Sequence, residues 1–576
     1  MKKYLFILLS ILVLKINATH NRAGEIIYKR IAPFTSYTFS FTVIKYFDHG
    51  SSIADRCVDT LYCGDGNVIV LPRVNNSALT QPCSCGSGGC GELIINEPTY
   101  KVKMNIYTGV YTYSAVGTYT ARSIDPNRNG SVINMTNSIN QRFYIESLVL
   151  VSSTITKNSS PILSNYPVDK AIINTCYYHN PGAYDPDGDS LSYEITTCKG
   201  YNGQTATGYY FPTGSFNIHP TNGTVTWCNP TMQGEYNIAF LIKEWRKTSC
   251  SGAYTLIGYV ERDMQILVTT TPPVTLSILS HIDTCIVAGI NYSTPFYYSS
   301  TNSATLSIIG SAANSIYLPN ATLSSTIIGS SANVGFFWNT TCLHARKQAH
   351  QLIIVANPSN SLEQRAYKVL NLTIVPSSPT ITGVTSTTNN VTLNWTKLNN
   401  CNPNLKGYNI YRKIGANSWN HSYCEQGVPA YTGFTLIGFK PATDSSFNDV
   451  YFSGVTNGSI GNYIVTSVLN DCAESYADTI KTVAITVGLK QNSLSELNVI
   501  ISPNPFSDKL TIFTDANNLK SFDATIYDVN GRVVFINKEI NVNTKSILNL
   551  SYLGSGVYII ELKTKDSISY KKIIKE

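Results

Sequence analysis

Tyr37-Thr-Phe-Ser-Phe-Thr-Val-Ile44 alternates large apolar side chains with hydroxyls. A period of two places Tyr37, Phe39, Phe41 and Val43 on one face and Thr38, Ser40 and Thr42 on the other, the signature of a half-buried strand. Val110-Tyr-Thr-Tyr113 is written in the same way. Outward from these stretches, short runs of Val, Ile, Thr and Tyr are separated by clusters of Gly, Asn, Ser and Pro, and helical periodicity is nearly absent. The reading is all-β, a string of antiparallel β-sandwich domains. Breaks near Ser159-Ser-Pro161, Thr271-Pro-Pro273, Pro376-Ser-Ser-Pro379 and Gly488 to Ser495 divide it into segments 19–160, 161–270, 274–375, 380–487 and 497–576.

Charged residues make up 13% of the 576-residue chain, against about 25% in an average soluble protein. Ser, Thr, Asn and Tyr fill the gap, so the surface is solvated by hydroxyls and amides, as suits extracellular β modules. The net charge of +7 is small and dispersed, which gives no reason to expect a nucleic-acid partner. At the N-terminus, Lys2 and Lys3 precede the apolar run Tyr4 to Leu14, with Ala18 before an expected cut. That is the pattern of a signal peptide over residues 1–18. The run is shorter than the ~20 residues a membrane span needs, and no later stretch reaches that length without polar interruption.

Export implies an oxidising compartment, in which an even set of fourteen cysteines reads as disulfides. Cys57, Cys63, Cys83, Cys85 and Cys90 crowd the first segment; a zinc cluster there is the weaker alternative, because zinc sites pair Cys-x2-Cys units. Cys176, Cys198, Cys228 and Cys250 are expected to staple the second segment, and Cys285 with Cys342 the third. Cys401, Cys424 and Cys472 complete the set. Spacing does not fix the connectivity.

Several stretches resemble known families. Ser502-Pro-Asn-Pro-Phe506, Ile526-Tyr-Asp-Val-Asn-Gly-Arg532, Leu553-Gly-Ser-Gly-Val-Tyr558 and Lys571-Lys-Ile-Ile-Lys-Glu576 together resemble the type A C-terminal sorting domain of the Bacteroidetes type IX secretion system. The resemblance implies a small terminal β-sandwich and export to the cell surface or beyond, with the secretion machinery as partner. The residues that carry it are Pro503, Asn504, Pro505, Gly531, Gly556, Lys571 and Lys572, with both glycines expected in tight turns. The opening Thr19-His-Asn-Arg-Ala-Gly-Glu25 looks like that of gliding-motility-associated surface proteins. His20, Arg22 and Glu25 are read there as ordinary strand-edge polar residues rather than a site. Segment 161–270 resembles cadherin-like immunoglobulin-fold repeats, segment 274–375 a degenerate copy. Segment 380–487 looks like a fibronectin type III domain, through Trp395, Gly407-Tyr-Asn-Ile-Tyr-Arg412 and Tyr463.

Asp185-Pro-Asp-Gly-Asp189 is the strongest site candidate. Calcium takes six to eight oxygens, and Asp185, Asp187 and Asp189 are expected to share one side of a bend at Gly188, with Glu194, Glu244 or Asp263 as a further ligand. The bland alternative is an Asp/Gly turn without an ion. Thr196 stands at the twelfth position, which excludes an EF-hand loop. No motif of a zinc protease, an α/β-hydrolase or a nucleotide-binding P-loop occurs. His344 and His350 read as surface residues. Tyr177-Tyr178, Tyr209-Tyr210-Phe211 and Tyr297-Tyr298 can stack on sugars, although in sandwiches such residues more often pack the core. The whole reads as an adhesin or structural surface protein with an unidentified glycan or protein ligand. An exported hydrolase centred on the first segment, or a component of the gliding machinery, is the alternative.

Overall fold

The computed structural model describes residues 21–51, 54–75, 91–97, 100–247, 252–270, 277–279, 284–299, 303–314, 318–325, 327–328, 331–359, 364–398, 404–450, 455–470, 472–487, 499–514, 521–541, 545–563 and 568–576. The signal-peptide segment, His20, Cys83, Cys85, Cys90, Cys250 and Cys401 lie outside the described residues. Strands dominate throughout, with a few single 3-10 turns. Contacts divide the chain into two compact units, Met1–Gly383 with Leu393–Phe447 and Asn462–Lys481, and Val384–Thr392 with Asn448–Gly461 and Thr482–Glu576.

In the first unit the strands are β1 (Asn21–Arg30), β2 (Thr38–Asp48), β3 (Val58–Tyr62), β4 (Val68–Pro72), β5 (Glu92–Asn96), β6 (Lys101–Thr112), β7 (Gly117–Asp125) and β8 (Phe143–Val151). They are followed by β9 (Ile162–Leu163), β10 (Val168–Ile172), β11 (Cys176–His179), β12 (Ala183–Tyr184), β13 (Ser190–Thr196), β14 (Ser215–Ile218), β15 (Val225–Cys228), β16 (Gly234–Lys247) and β17 (Tyr254–Thr269). The stretch at Tyr37 forms most of β2, which pairs antiparallel with β1 and β6. Its period of two is realised: Phe39, Phe41 and Val43 are fully buried with Ile26, Leu61, Tyr107 and Phe143.

The break placed near residue 160 separates neither the sheets nor the cores completely: beside a core on each side, one buried cluster joins Ala23, Tyr46 and Val102 to Val168, and another joins Val132 and Met135 to Cys198, Ala206 and Ala239. β17, from the second segment, pairs with β16 and β10 of its own segment and also with β8 and β1 of the first. One 12-stranded sheet therefore runs through both segments. Ion pairs line the seam. The Arg262 guanidinium donates to both oxygens of Glu25 at 2.6 and 2.7 Å, and Arg128 to both oxygens of Asp263 at 3.0 and 2.6 Å. Arg22 donates to Glu235, Gln265 and Asp48. Arg22 and Glu25 are thus buried partners across the seam and not strand-edge residues. Removing one member of such a pair strands a buried charge, at a cost of about 3–5 kcal/mol.

Segment 274–375 forms two sheets. One contains Asn291–Ser299 and Ser331–Asn339, the other His350–Pro358 and Ala366–Val375. His344 and His350 are core residues there, not surface ones: both rings pack on the buried Trp338 at 5.0 Å, and His350 donates to the His344 carbonyl. In segment 380–487, Leu405–Ile414 pairs with Thr435–Pro441, and Trp395 packs edge-on against Tyr408. The C-terminal part of the second unit has a three-stranded and a four-stranded sheet around Phe506, Leu510, Ile526, Leu548, Ile560 and Ile573.

The cysteines depart from expectation in three places. Cys176–Cys228 bridges two paired strands of the second segment, but Cys198 is a buried free thiol. Cys63 is also buried and unpaired, its thiol pushed up to about 12 by burial and the nearby Asp65. Cys285 bridges to Cys424 and not to Cys342: it stands on the edge strand Thr284–Val287, whereas Cys342 opens the 3-10 turn that follows the strand Ser331–Asn339 of the other sheet. Cys57, Cys342 and Cys472 are disulfide-bonded.

Candidate cation site and export signal

Asp185 follows the short strand β12 and folds the next four residues around itself. Its Oδ1 accepts the backbone N–H groups of Asp187 and Asp189 at 2.8 and 3.0 Å, and Gly188 takes a φ of +87° to close the turn. The turn leaves Asp185 Oδ2 buried with no hydrogen-bond partner. Asp189 lies beside it and receives the Arg246 guanidinium, through Nε at 2.7 Å and through Nη2. Glu244 arrives from β16, opposite Leu191 on β13. A register shift between Glu244 and Trp245 interrupts the β16–β17 ladder, a bulge of the kind that re-aims a side chain. Opposite it stands Gly258, where any Cβ would collide with the Tyr28 hydroxyl and crowd Glu244 Oε2. Asn158 donates to Glu244 Oε2 at 3.5 Å, while Oε1 is buried and unpartnered.

Asp185, Asp189 and Glu244 therefore converge, with one carboxylate oxygen of each within 4.8 Å of the others, all three residues buried. Of the three predicted loop residues, the structure brings Asp185 and Asp189 together and turns Asp187 aside. Asp187 accepts the Ser159 N–H at 2.6 Å and pairs with Lys157 at 3.0 Å. Of the three predicted further ligands only Glu244 reaches the cluster. Glu194 pairs with Lys243, and Asp263 is held by Arg128.

Burial, reinforced by Asp189, raises the Asp185 carboxyl well above the usual carboxylate range. Burial, then Asp185 and Asp189, does the same to Glu244. Asp189 is paired with Arg246 and Asp187 with Lys157, while Asp185 and Glu244 have no directly paired cation among the described residues. Such a cluster either takes up protons or holds a divalent cation, and an all-oxygen donor set suits calcium or magnesium. The loop borders a cavity of about 330 Å³ whose other walls include Arg346 and Gln348 of the third segment and Asn404 and Asn470 of the fourth. Arg246 escaped the sequence reading; its signal was its place two residues after Glu244, on the same face of a strand.

A second pair of carboxylates shares one lysine. Lys199 Nζ lies 2.6 Å from both Glu146 and Glu261. Burial pushes the Glu261 carboxyl up to about 8 against the pull of Lys199. Burial would raise Glu146 too, but Lys199 and hydroxyl hydrogen bonds from Tyr259 (2.6 Å) and Tyr144 (3.0 Å) hold it below its ordinary value.

In the C-terminal domain the block around Asn504 meets the strand that carries Lys571 and Lys572. Asn504, between Pro503 and Pro505, donates through Nδ2 to the Lys572 carbonyl at 3.0 Å and accepts the Ile574 N–H through Oδ1 at 2.8 Å. Lys571 reaches the Val499 carbonyl at 2.7 Å. The Ser502–Phe506 block is thus bolted to the strand Ile568–Lys575. Gly531 occupies a turn at φ +79°, as expected. Gly556 instead opens the strand Gly556–Lys563, paired with Lys575, and needs no special backbone conformation.

Residues 501–576 match the family described as a secretion system C-terminal sorting domain. This terminal domain is a type IX export signal. The protein is accordingly delivered to the cell surface or the extracellular space, with the type IX machinery as partner. No helix among the described residues is long and apolar enough to cross a membrane. A stretch of 93 residues, 16% of the chain, is 32% identical to an endo-acting ulvan lyase of Formosa agariphila and spans 17% of that protein's length. Among solved structures, similarity is found to Sidekick-1 immunoglobulin domains 1–5 (TM-score 0.21, 8% identity, 83% of this chain and 90% of that one). It is also found to the human Desmocollin-1 ectodomain (TM-score 0.15, 10% identity, 91% and 93%).

Proposed function

We propose that this exported protein is an adhesin or structural element of the cell surface, and that calcium bound by Asp185, Asp189 and Glu244 stiffens its β framework. The observation that carries the calcium reading is the pair of buried, unpartnered oxygens, Asp185 Oδ2 and Glu244 Oε1, on two converging carboxylates that no cation pairs directly among the described residues. A divalent ion would balance these two carboxylates and replace the protons that burial otherwise forces onto the cluster. Because the loop borders a cavity also walled by the third and fourth segments, the ion would stiffen their junction as well as the turn. The modular, charge-poor β architecture fits display or adhesion at a surface better than turnover.

The test is thermal unfolding of the chain from Thr19 onward, in calcium and in chelator. A higher midpoint in calcium is expected, and Glu244→Gln should remove the difference. Equal midpoints for the unsubstituted protein would end the calcium reading.

A second reading, an exported polysaccharide-cleaving enzyme, draws on the Glu146–Glu261 pair, whose proton affinities are pushed apart as an acid and a base require. The stretch of similarity to a lyase adds to it. Release of reducing ends or unsaturated products from algal and plant polysaccharides, lost in Glu146→Gln, would establish it. A part in gliding, which the opening residues suggest by resemblance, would show as altered colony spreading on deletion of the gene.

A further inference from the structure

The outward face of the sheet β11–β15–β14 carries a groove that neither the export signal nor the cation site uses. Tyr178 pairs with Thr226, and Thr226 with Asn217, so the three side chains form one row across three strands. Their neighbours Tyr177 and Trp227 point the other way and are fully buried, which fixes the row as outward-facing. Tyr178 is 44% exposed. Across the groove stands Tyr367, from the strand Ala366–Val375. Its hydroxyl donates to Asp169 Oδ2 at 2.7 Å and accepts from Asn165 Nδ2 at 3.3 Å, and its ring meets His179 edge-on. One aromatic ring is thus locked in place and the other stands half free.

The groove encloses about 510 Å³, and its wall includes Ile218, His219 and Val369 but no Asp, Glu, Lys or Arg. Among the described residues, neither Asn217 nor Thr226 uses its side-chain polar group in a hydrogen bond within the protein. The result is two aromatic surfaces, an amide and a hydroxyl, all without charge.

We propose that this groove binds a neutral sugar residue of an extracellular polysaccharide. A pyranose ring offers C–H faces to Tyr178 and Tyr367 and hydroxyls to Asn217 and Thr226, and an aromatic ring with a polar tip suits that mixture. A sulfated or uronic sugar would bring a charge with no cation in the wall to pair it. A flat apolar peptide would leave the amide and hydroxyl unmatched. The site is independent of the calcium reading.

The experiment is calorimetric titration of the chain from Thr19 onward with neutral oligosaccharides (cello-, xylo-, manno- and galacto-oligosaccharides). Oligogalacturonate and a sulfated galactan serve as charged counterparts. At least one neutral ligand should bind, with affinity about tenfold weaker in Tyr178→Ala, as loss of an aromatic stacking surface implies. Tyr178→Phe should bind like the unsubstituted protein, and Asn217→Ala should bind more weakly. Tyr210→Ala, an exposed aromatic outside the groove, should change nothing. Should Tyr178→Ala lower the melting temperature, the exposed Asn217→Ala decides. Failure of every neutral ligand to bind, binding indifferent to both Tyr178→Ala and Asn217→Ala, or binding of the charged ligands alone would each overturn the proposal.

Discussion

Two acidic, glycine-containing turns of this chain are written alike and end differently. In the C-terminal domain, Asp528 begins a turn with Gly531 at φ +79°, and its Oδ1 accepts the N–H groups of Asn530 and Arg532, each at 2.9 Å. In the second segment, Asp185 begins a turn with Gly188 at φ +87° and accepts two N–H groups in the same manner. The first turn is exposed and complete in itself. The second is buried, and Glu244 comes to it from a strand more than fifty residues onward. An Asp/Gly loop is therefore a turn by its own chemistry, and becomes an ion site only when the fold buries it and supplies another carboxylate.

The sharpest way to break this comparison is to remove the imported carboxylate or the divalent ion. A ligand at a hundred times its Kd stabilises by about 2.7 kcal/mol, or roughly 5–10 °C in a domain of this size. Calcium should raise the midpoint by that amount, Glu244→Gln and Asp185→Asn should abolish the rise, and Asp528→Asn should leave it intact. A calcium response lost with Asp528→Asn but kept with Glu244→Gln would invert the comparison.

The next test is pH. Without the ion, the folded-state values of Asp185 and Glu244 lie above their unfolded values near 4, so the folded protein holds the extra protons. That contribution is complete below the unfolded values and is lost as pH rises through the folded ones. In chelator the midpoint should fall as pH rises above the unfolded values, and the gain from calcium should widen with it. A gain that is flat with pH would mean that the ion, if bound, does not displace protons at this cluster.

Smaller effects sharpen the likeness. Asp528→Ala removes two hydrogen bonds to a half-buried carboxylate and should cost about 1 kcal/mol, in calcium and chelator alike. Hydrogen exchange at Ile526 and Ile560 would read this out. Gly188→Ala and Gly531→Ala meet open space but force an alanine into left-handed backbone. In chelator each should cost about 1 kcal/mol, because the turn itself is what the two regions share.

What the sequence made legible follows the same division. The face of Phe39, Phe41 and Val43 could be read because a strand's period is local. So could the export signal, whose turns and strand blocks lie within one short stretch. Asp185 and Asp189 were legible as a loop, but Asp187 was misplaced. Parity holds for an extended segment, and the turn around Asp185 Oδ1 curls the loop instead. Glu244 stood level with Glu194 and Asp263 because only the pairing of Leu191 with Glu244 decides between them, and register between distant strands is not written in either strand. Arg22 and Glu25 read as strand-edge polar residues for the same reason: their partners Glu235 and Arg262 lie more than two hundred residues away.

The strand β17 carries a consequence for how this region comes to be folded. It stands between β8 and β1 and receives β16 and β10, so the sheet of the first 150 residues lacks a central member until residue 269 exists. Contacts of such long sequence separation form slowly. A fragment ending near residue 160 would present β1 and β8 as bare edges to other chains. Segments one and two are therefore one unit of inheritance as well as of folding: shuffling a domain at that boundary would cut through a sheet.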